Sequence, residues 1–462
     1  MPSSIADFLS YMKASPTPYH AVQETKDRLL ARGFEQLHER SDWAAQCEAG
    51  KRYFVIREAS TIAAFAIGYL WKPGDPVGII AAHTDSPCLR VKPNGKDTCH
   101  GTQRLAVEPY GAGTWSSWFD RDLGIAGRAL VRSQTHLEER LFMVPGAVCR
   151  IPSLAAFLAG PQTTFTIDKQ AHLKPICGLV SSNKGGPMDL QLLTPAHLSS
   201  QDRHYGQLLG LVATNLGVPV GQIHEMEAIL HDTQDPAIGG VNHEFIFAQR
   251  LDNLCMSYCA LIGLLESLDD EPSLTTGSTV RVISLFDHEE VGSVSHNGAR
   301  SDFLPSMLRR ISRLSVSASQ TFTSSPYEQM MACSFLISAD MAHGLNPNFP
   351  EKCDDGHAPM LNGGLVIKVN ANMKYATTMP GLALLRGIAE PASVPLQLFV
   401  VNNNAACGST IGPLLAAQLG VRSADVGLAQ WSMHSIRETA GVQDVAHAVN
   451  AFRAFFTRFS GC

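Results

Sequence analysis

Apolar and polar positions along the chain assign most of it to alternating strands and helices. The clearest stretch is Val280–Phe286, V-R-V-I-S-L-F, apolar except at Arg281 and Ser284. A continuous run of this length reads as a buried strand. Residues 76–82, 333–339, 365–370, 395–401 and 424–428 carry similar runs. Residues 52–57 and 61–70 alternate like the arms of a hairpin, and 127–132 is strand-like. Helical spacing marks 5–13, 20–32, 207–216, 253–268, 306–317 and 444–456, a further helix starts in Gly408–Pro413 and runs to Leu419, and a short helix opens at 154–158. Ala14-Ser15-Pro16-Thr17-Pro18 is a stiff break between the first two helices, and Gly33 stops the second. Residues 94–113 are polar and glycine-rich, and the following part mixes short strands with loops such as Gly185-Gly186-Pro187. The pattern predicts an α/β protein in which residues 1–90 and 236–462 form one domain and 91–235 an inserted, strand-rich second one. The insert suggests packing or assembly, with Trp115 and Trp118 as structural or interface residues.

The polar residues that follow the buried strands carry the chemistry. The strand at 76–82 delivers His83-Thr84-Asp85, with His83 and Asp85 on one face of the extended chain. Val280–Phe286 empties into Asp287, His288, Glu289 and Glu290; two adjacent carboxylates repel, and a divalent cation removes that cost. Asp340 follows 333–339, and His434 lies just beyond 424–428. Asp252 heads the helix at 253–268, where a carboxylate has an ordinary role as a helix cap. In an open α/β sheet functional groups gather at the carboxyl ends of the strands. Two histidines and four carboxylates exceed one zinc site and suit two metals with a bridging carboxylate and a free base. Such a pair can polarise a carbonyl and activate water, which points to amide hydrolysis.

Composition narrows the setting. Net charge is −6, which gives no basic face for nucleic acid. No run approaches membrane-span length, and the N-terminal stretch lacks a basic start and a secretory pattern. Eleven cysteines without a CxxC pair read as reduced thiols in a cytoplasmic protein, with Cys255 and Cys259 as packed core thiols.

Several segments resemble the aspartyl aminopeptidases, a family of di-zinc metallopeptidases that remove N-terminal Asp or Glu from peptides. They are D-F-L-S-Y-M-K-A-S-P-T-P-Y-H-A-V (7–22), A-A-H-T-D-S-P (81–87), W-F-D-R-D-L (118–123), N-H-E-F-I-F-A-Q-R-L-D-N-L (242–254), L-F-D-H-E-E-V-G-S (285–293), D-M-A-H-G-L-N-P-N (340–348), V-I-K-V-N (366–370), C-G-S-T-I-G-P (407–413) and M-H-S-I-R-E (433–438). The resemblance implies a catalytic α/β/α sandwich with a mixed sheet, interrupted by a β-rich domain, and a homododecamer built from dimers. It implies two Zn2+ per subunit, with Co2+ or Mn2+ as other occupants. Asp252 would bridge the metals, His83 and Asp340 would complete one shell, and Glu290 and His434 the other. Glu289 would be the general base, and Asp85 would hydrogen-bond the far nitrogen of His83. Lys368 would meet the acidic side chain of the substrate, with Tyr375, His343 and His357 as further pocket residues. Peptides with a free N-terminus would be the substrates.

The chain departs from the family pattern at the periphery. Phe157 stands where relatives carry a histidine that reaches a neighbouring subunit, and a phenylalanine cannot donate that hydrogen bond. Leu345-Asn346-Pro347 lacks the histidine of a V-H-P motif, Asn402-Asn403-Asn404 lacks the charges of V-R-x-D, and Met373-Lys374 replaces Gln-Arg. Two other readings follow: an aminopeptidase of neutral or broad specificity, and an inactive self-assembling scaffold or cargo protein. Intact His83, Asp252, Glu289, Glu290, Asp340 and His434 argue against the scaffold.

Overall fold

A computed structural model describes residues 5–133, 135–159, 166–180, 199–269, 274–314 and 324–461. The chain forms two compact units. The first comprises the chain up to Ser86, Pro236–Met433 and the chain from Glu438 onward; the second comprises Pro87–Asp235 and the short return His434–Arg437.

The first unit is an α/β/α arrangement around a nine-stranded mixed sheet. Its strands are β1 (Glu35–Gln36), β2 (Arg52–Arg57), β3 (Thr61–Ile67), β4 (Val77–His83), β5 (Val280–Phe286), β6 (Phe335–Ala339), β7 (Leu365–Lys368), β8 (Leu396–Phe399) and β9 (Arg422–Gly427). Their spatial order is β1-β2-β3-β5-β4-β6-β9-β7-β8. The four central strands β5, β4, β6 and β9 run parallel. Their carboxyl ends therefore open on the same edge of the sheet.

Alternation along the central strands separates two cores. Val77, Ile79 and Ala81 of β4 join Val280, Val282 and Phe286 of β5 on one face. Ile80 and Ala82 join Ile283 and Leu285 on the other. The second face is covered by α1 (Ile5–Ala14), α2 (Pro18–Ala31), α3 (Leu251–Ser267), α5 (Met379–Ala389) and α7 (Val442–Arg458). The first face is covered by α4 (Phe303–Ile311) and α6 (Ile411–Leu419). Each large side chain fully buried in this way contributes about 1.5–3 kcal/mol. Nearly every residue of α3 is buried, so this helix is apolar all round. Cys255 and Cys259 are among them, and burial pushes the Cys259 thiol well up.

Local chemistry sets several element ends. Thr17 caps α2, its Oγ1 accepting from His20 N at 3.4 Å, and Pro18 occupies the first turn, where its missing N–H is harmless. Gly420 closes α6 at φ 65°. α4 begins at Phe303 and ends at Ile311, three residues earlier at its start than the apolar spacing suggests. A five-stranded sheet, ordered Ala237–Gly239, Phe245–Ala248, Glu438–Gly441, Ala429–Trp431 and Ala342–His343, completes the first unit.

The second unit is built on a six-stranded antiparallel sheet, ordered Leu137–Met143, Leu123–Arg132, Ile223–Asp232, Cys88–Cys99, Thr102–Tyr110 and Ile176–Leu179. The polar stretch 94–113 is largely the hairpin Cys88–Cys99 and Thr102–Tyr110, with one face partly exposed, as antiparallel sheets permit. Trp115 and Trp118 are buried against each other in this unit, ring centroids 6.0 Å apart. Gly185-Gly186-Pro187 lies outside the described residues.

Candidate metal centre

His83 is the last residue of β4 and is 1% exposed. Its backbone carbonyl accepts Ser257 Oγ of α3 at 2.7 Å. One ring nitrogen, Nε2, faces three carboxylates: Asp252 Oδ1 at 3.4 Å, Asp340 Oδ1 at 3.8 Å and Glu289 Oε2 at 3.9 Å. The other, Nδ1, lies 3.0 Å from the backbone carbonyl of Asp85 and 3.3 Å from its Oδ1.

Asp85 does more with its carboxylate. Oδ1 accepts the backbone N–H of Glu289, and Oδ2 that of Glu290, each at 3.1 Å. These two residues form a single turn just after β5. The turn is entered through His288 at φ 66°, a left-handed conformation that costs an L-residue about 1–2 kcal/mol. Asp85 thus clamps the acidic turn beside His83.

Asp252 precedes the regular part of α3, with φ −83° and ψ 105°. Its position is fixed through the main chain. Glu438 Oε2 accepts Asp252 N at 2.9 Å, Ser86 Oγ donates to Asp252 O at 2.5 Å, and Asn253 Nδ2 donates to Ala339 O at 2.8 Å. The last bond ties the Asp252 turn to the end of β6, which delivers Asp340. Asp340 N in turn donates to Val426 O at 2.9 Å.

Ligand atoms of His83, Glu289 and Asp340 all lie within 4.8 Å of one another, and Asp252 and Glu290 offer oxygens within the same limit of each other. At zinc–ligand distances of about 2.1 Å, two tetrahedral ligands sit about 3.4 Å apart. The observed separations match a site of that size, and imidazole with carboxylate is a zinc donor set. The electrostatics agree. Burial resists protonation of His83, but Glu289, Asp252, Asp340 and Asp85 outweigh it and hold its pKa well above the ordinary imidazole value. Burial pushes the Glu289 carboxyl up; His83 opposes this, while Asp340, Asp85 and Asp252 add to it, and the group reaches about 8. A cation among these groups replaces protons that the cluster otherwise takes up.

His434 belongs to the short return in the second unit. There its Nδ1 lies 3.1 Å from Ala112 O, and its carbonyl accepts Thr114 N at 2.9 Å. The strand Ala429–Trp431 separates it from β9, so it does not directly follow the 424–428 run. The chain is tethered on both sides: Met433 and Glu438 are in the first unit, and Glu438 is the residue that holds Asp252 N.

The pocket residues divide. Lys368, at the end of β7, is 2% exposed. Its Nζ donates to Met341 O at 3.0 Å, lies 3.7 Å from Asp340 Oδ2 and sits 5.1 Å from the centre of the Tyr375 ring. Tyr375 is buried against Phe399, and His343 approaches the same Phe399 ring at 6.0 Å. His357 is engaged by Asp354, Nδ1 to Oδ1 at 2.7 Å. Asn402 Nδ2 donates to Cys353 O at 3.0 Å and bonds the loop before it, while Asn346 Oδ1 accepts Asn348 N. Phe157 is fully exposed in the second unit, beside exposed Leu154 and Leu158.

Sequence reasoning missed Ser86, Asn253, Ser257 and Glu438. The signal lay beside the ligands: each is a polar residue within or next to a ligand-bearing segment, buried where an apolar side chain is the default.

An α/β sheet whose parallel strands present a buried imidazole among carboxylates defines the class of metal-dependent hydrolases. The comparisons give the family. A family model described as aminopeptidase I zinc metalloprotease, M18, matches residues 11–456. An aspartyl aminopeptidase of Aspergillus oryzae is 44% identical over 98% of this chain and 95% of its own length. A chain in the cryo-EM structure of the Ape4 and Nbr1 complex is 42% identical, with a TM-score of 0.93 over 99% of this chain and 86% of that one. A chain of the S. cerevisiae mApe1 dodecamer is 32% identical, with a TM-score of 0.84 over 99% and 97%. The chain belongs to the M18 family of zinc metalloproteases, and it is a metal-dependent aminopeptidase.

Proposed function

We propose that this aminopeptidase removes N-terminal aspartate or glutamate from peptides, using two zinc ions. The observation that carries the acidic preference is Lys368, a buried ammonium 3.7 Å from a carboxylate of the metal cluster. A buried lysine at the edge of a reaction site is a counter-charge for an acidic side chain.

His83 and Asp340 would hold one ion and Glu290 and His434 the other, with Asp252 as the ligand the two would share. Support for the bridge is its position, 3.4 Å from His83 and within 4.8 Å of Glu290. When bound, the metals supply Lewis acidity toward the scissile carbonyl and an activated water. Glu289 would serve as the general base and carry a proton to the leaving nitrogen. Its raised pKa in the buried cluster suits a proton carrier. Asp85 positions Glu289 and Glu290 through their backbones. The free N-terminal amine of the peptide is held by the carboxylates that remain.

The interrupting unit serves assembly in this reading, and the functional form is a homododecamer of dimers; the dodecameric relative supports this. The setting is the cytoplasm. A broader specificity is the second reading, favoured by the uncharged Asn402–Asn404 run and by Asn402 binding the 351–353 loop. A panel of aminoacyl substrates, run with zinc content measured on the same preparation, tests both. Strong turnover of Asp and Glu with weak turnover of Asn, Gln and Leu supports the first; flat turnover supports the second.

A further inference from the structure

Asp340 presents its two oxygens in different directions. Oδ1 lies 3.8 Å from His83 Nε2, inside the ligand group, while Oδ2 lies 3.7 Å from Lys368 Nζ. The ammonium is almost fully enclosed and also donates to the Met341 carbonyl, one residue past Asp340. The face of Tyr375 bounds it as well. Across the sheet Lys368 is in register with Asp425, but that carboxylate is engaged by Ala376 N and Thr410 Oγ1. Lys368 also acts electrostatically on the buried Asp425 carboxylate; among the described residues, the carboxylate within ion-pair distance of Nζ is that of Asp340, at 3.7 Å.

We infer that Lys368 is a positioning residue for the metal centre, acting through Asp340, as well as a contact for the substrate. This rests on the reading that Asp340 is a zinc ligand. A cation held against one oxygen of a carboxylate draws charge from the other oxygen. With zinc bound, Asp340 would therefore donate less charge to it than an unpaired carboxylate would. Recognition of the substrate's side chain and the strength of the metal's hold are thereby linked through one shared carboxylate. A peptide acid that draws the ammonium toward itself leaves Asp340 freer to bind the metal, and linkage makes that effect reciprocal.

The test needs no turnover. Zinc partition between the protein and a chromophoric chelator is measured without substrate for wild type, K368Q, K368M and K368R. K368Q keeps an N–H donor on a shorter side chain but carries no charge. The expected result is zinc retained about fivefold or more tightly by K368Q and K368M, with K368R near wild type. Unchanged or weaker retention in the neutral variants overturns the inference, and so does failure of both neutral variants to fold. Selectivity for aspartyl over asparaginyl substrates is read in parallel. Loss of selectivity with unchanged zinc retention leaves the proposed function standing and removes only this inference. A wild-type protein that takes up no zinc removes the reading beneath it.

Discussion

The Asp85 carboxylate accepts the backbone N–H of Glu289 at 3.1 Å, and its second oxygen does the same for Glu290. The reading of Asp85 from the sequence, as the hydrogen-bond partner of His83, captures only part of its role. The carbonyl of Asp85 lies nearer His83 Nδ1, at 3.0 Å, than its carboxylate does, at 3.3 Å. Asp85→Asn replaces one acceptor with an amide that faces an N–H. Turnover is expected to fall by about 100-fold or more, with a stability loss of about 1–3 kcal/mol. Steady-state kinetics and thermal unfolding check this; a variant with wild-type turnover contradicts the clamp.

Glu289→Gln keeps the shape of the side chain and removes its proton-carrying capacity. Zinc stoichiometry is expected to be unchanged while kcat drops by about 10²–10⁴-fold. Metal analysis beside kinetics reads both quantities. Wild-type-like turnover removes Glu289 from the mechanism.

Removing the metal tests the electrostatics of the cluster. Without cations, buried carboxylates around His83 repel one another and take up protons. Chelated protein is expected to lose activity and to unfold several degrees earlier, about 2–4 kcal/mol less stable, with both restored by added zinc. Full activity after exhaustive chelation contradicts a metal-dependent reaction.

A pH effect is expected where the N-terminal helices pack. Asp7 of α1 accepts Arg28 Nη1 and Nη2 at 2.7 and 3.0 Å and Tyr258 Oη at 2.8 Å, pinning α1 to α2 and α3. Burial raises its pKa, but Arg28 and Tyr258 more than offset that and hold the group below its ordinary value of 3.8. The stabilisation is therefore present above the unfolded pKa and is lost as pH falls through the folded one. Asp7 is partly exposed, so the contribution is about 1 kcal/mol or less. Asp7→Asn is expected to lower the unfolding temperature slightly at pH 7, with the difference vanishing below about pH 3. A difference that grows in acid contradicts the pairing.

Much of this architecture was legible in the residues. Val280–Phe286 is a strand over its full predicted length because its apolar run is bounded sharply by Asp287. The 76–82 run was displaced by only one residue, to Val77–His83. The helix Met379–Ala389 escaped notice because Pro380, Gly381 and Gly387 interrupt its pattern, and packing decides there. The strand Ala429–Trp431 was hidden because it follows β9 after a single residue, so the two read as one run. In the site, residues at strand ends announced themselves by charge after an apolar run. Glu438 did not, because it acts through the backbone of a residue 186 positions away, a relation that spacing does not carry. Lys368 stands in an apolar strand run, V-I-K-V-N, and only the fold shows it buried beside Asp340.

Zinc dependence and acidic preference are read together by kcat/KM for aspartyl, glutamyl, asparaginyl, glutaminyl and leucyl substrates on protein of measured zinc content. Activity is expected to rise with zinc occupancy, with Asp and Glu favoured over their amides by about tenfold or more. Equal turnover of acids and amides, or activity independent of zinc, contradicts the proposed function.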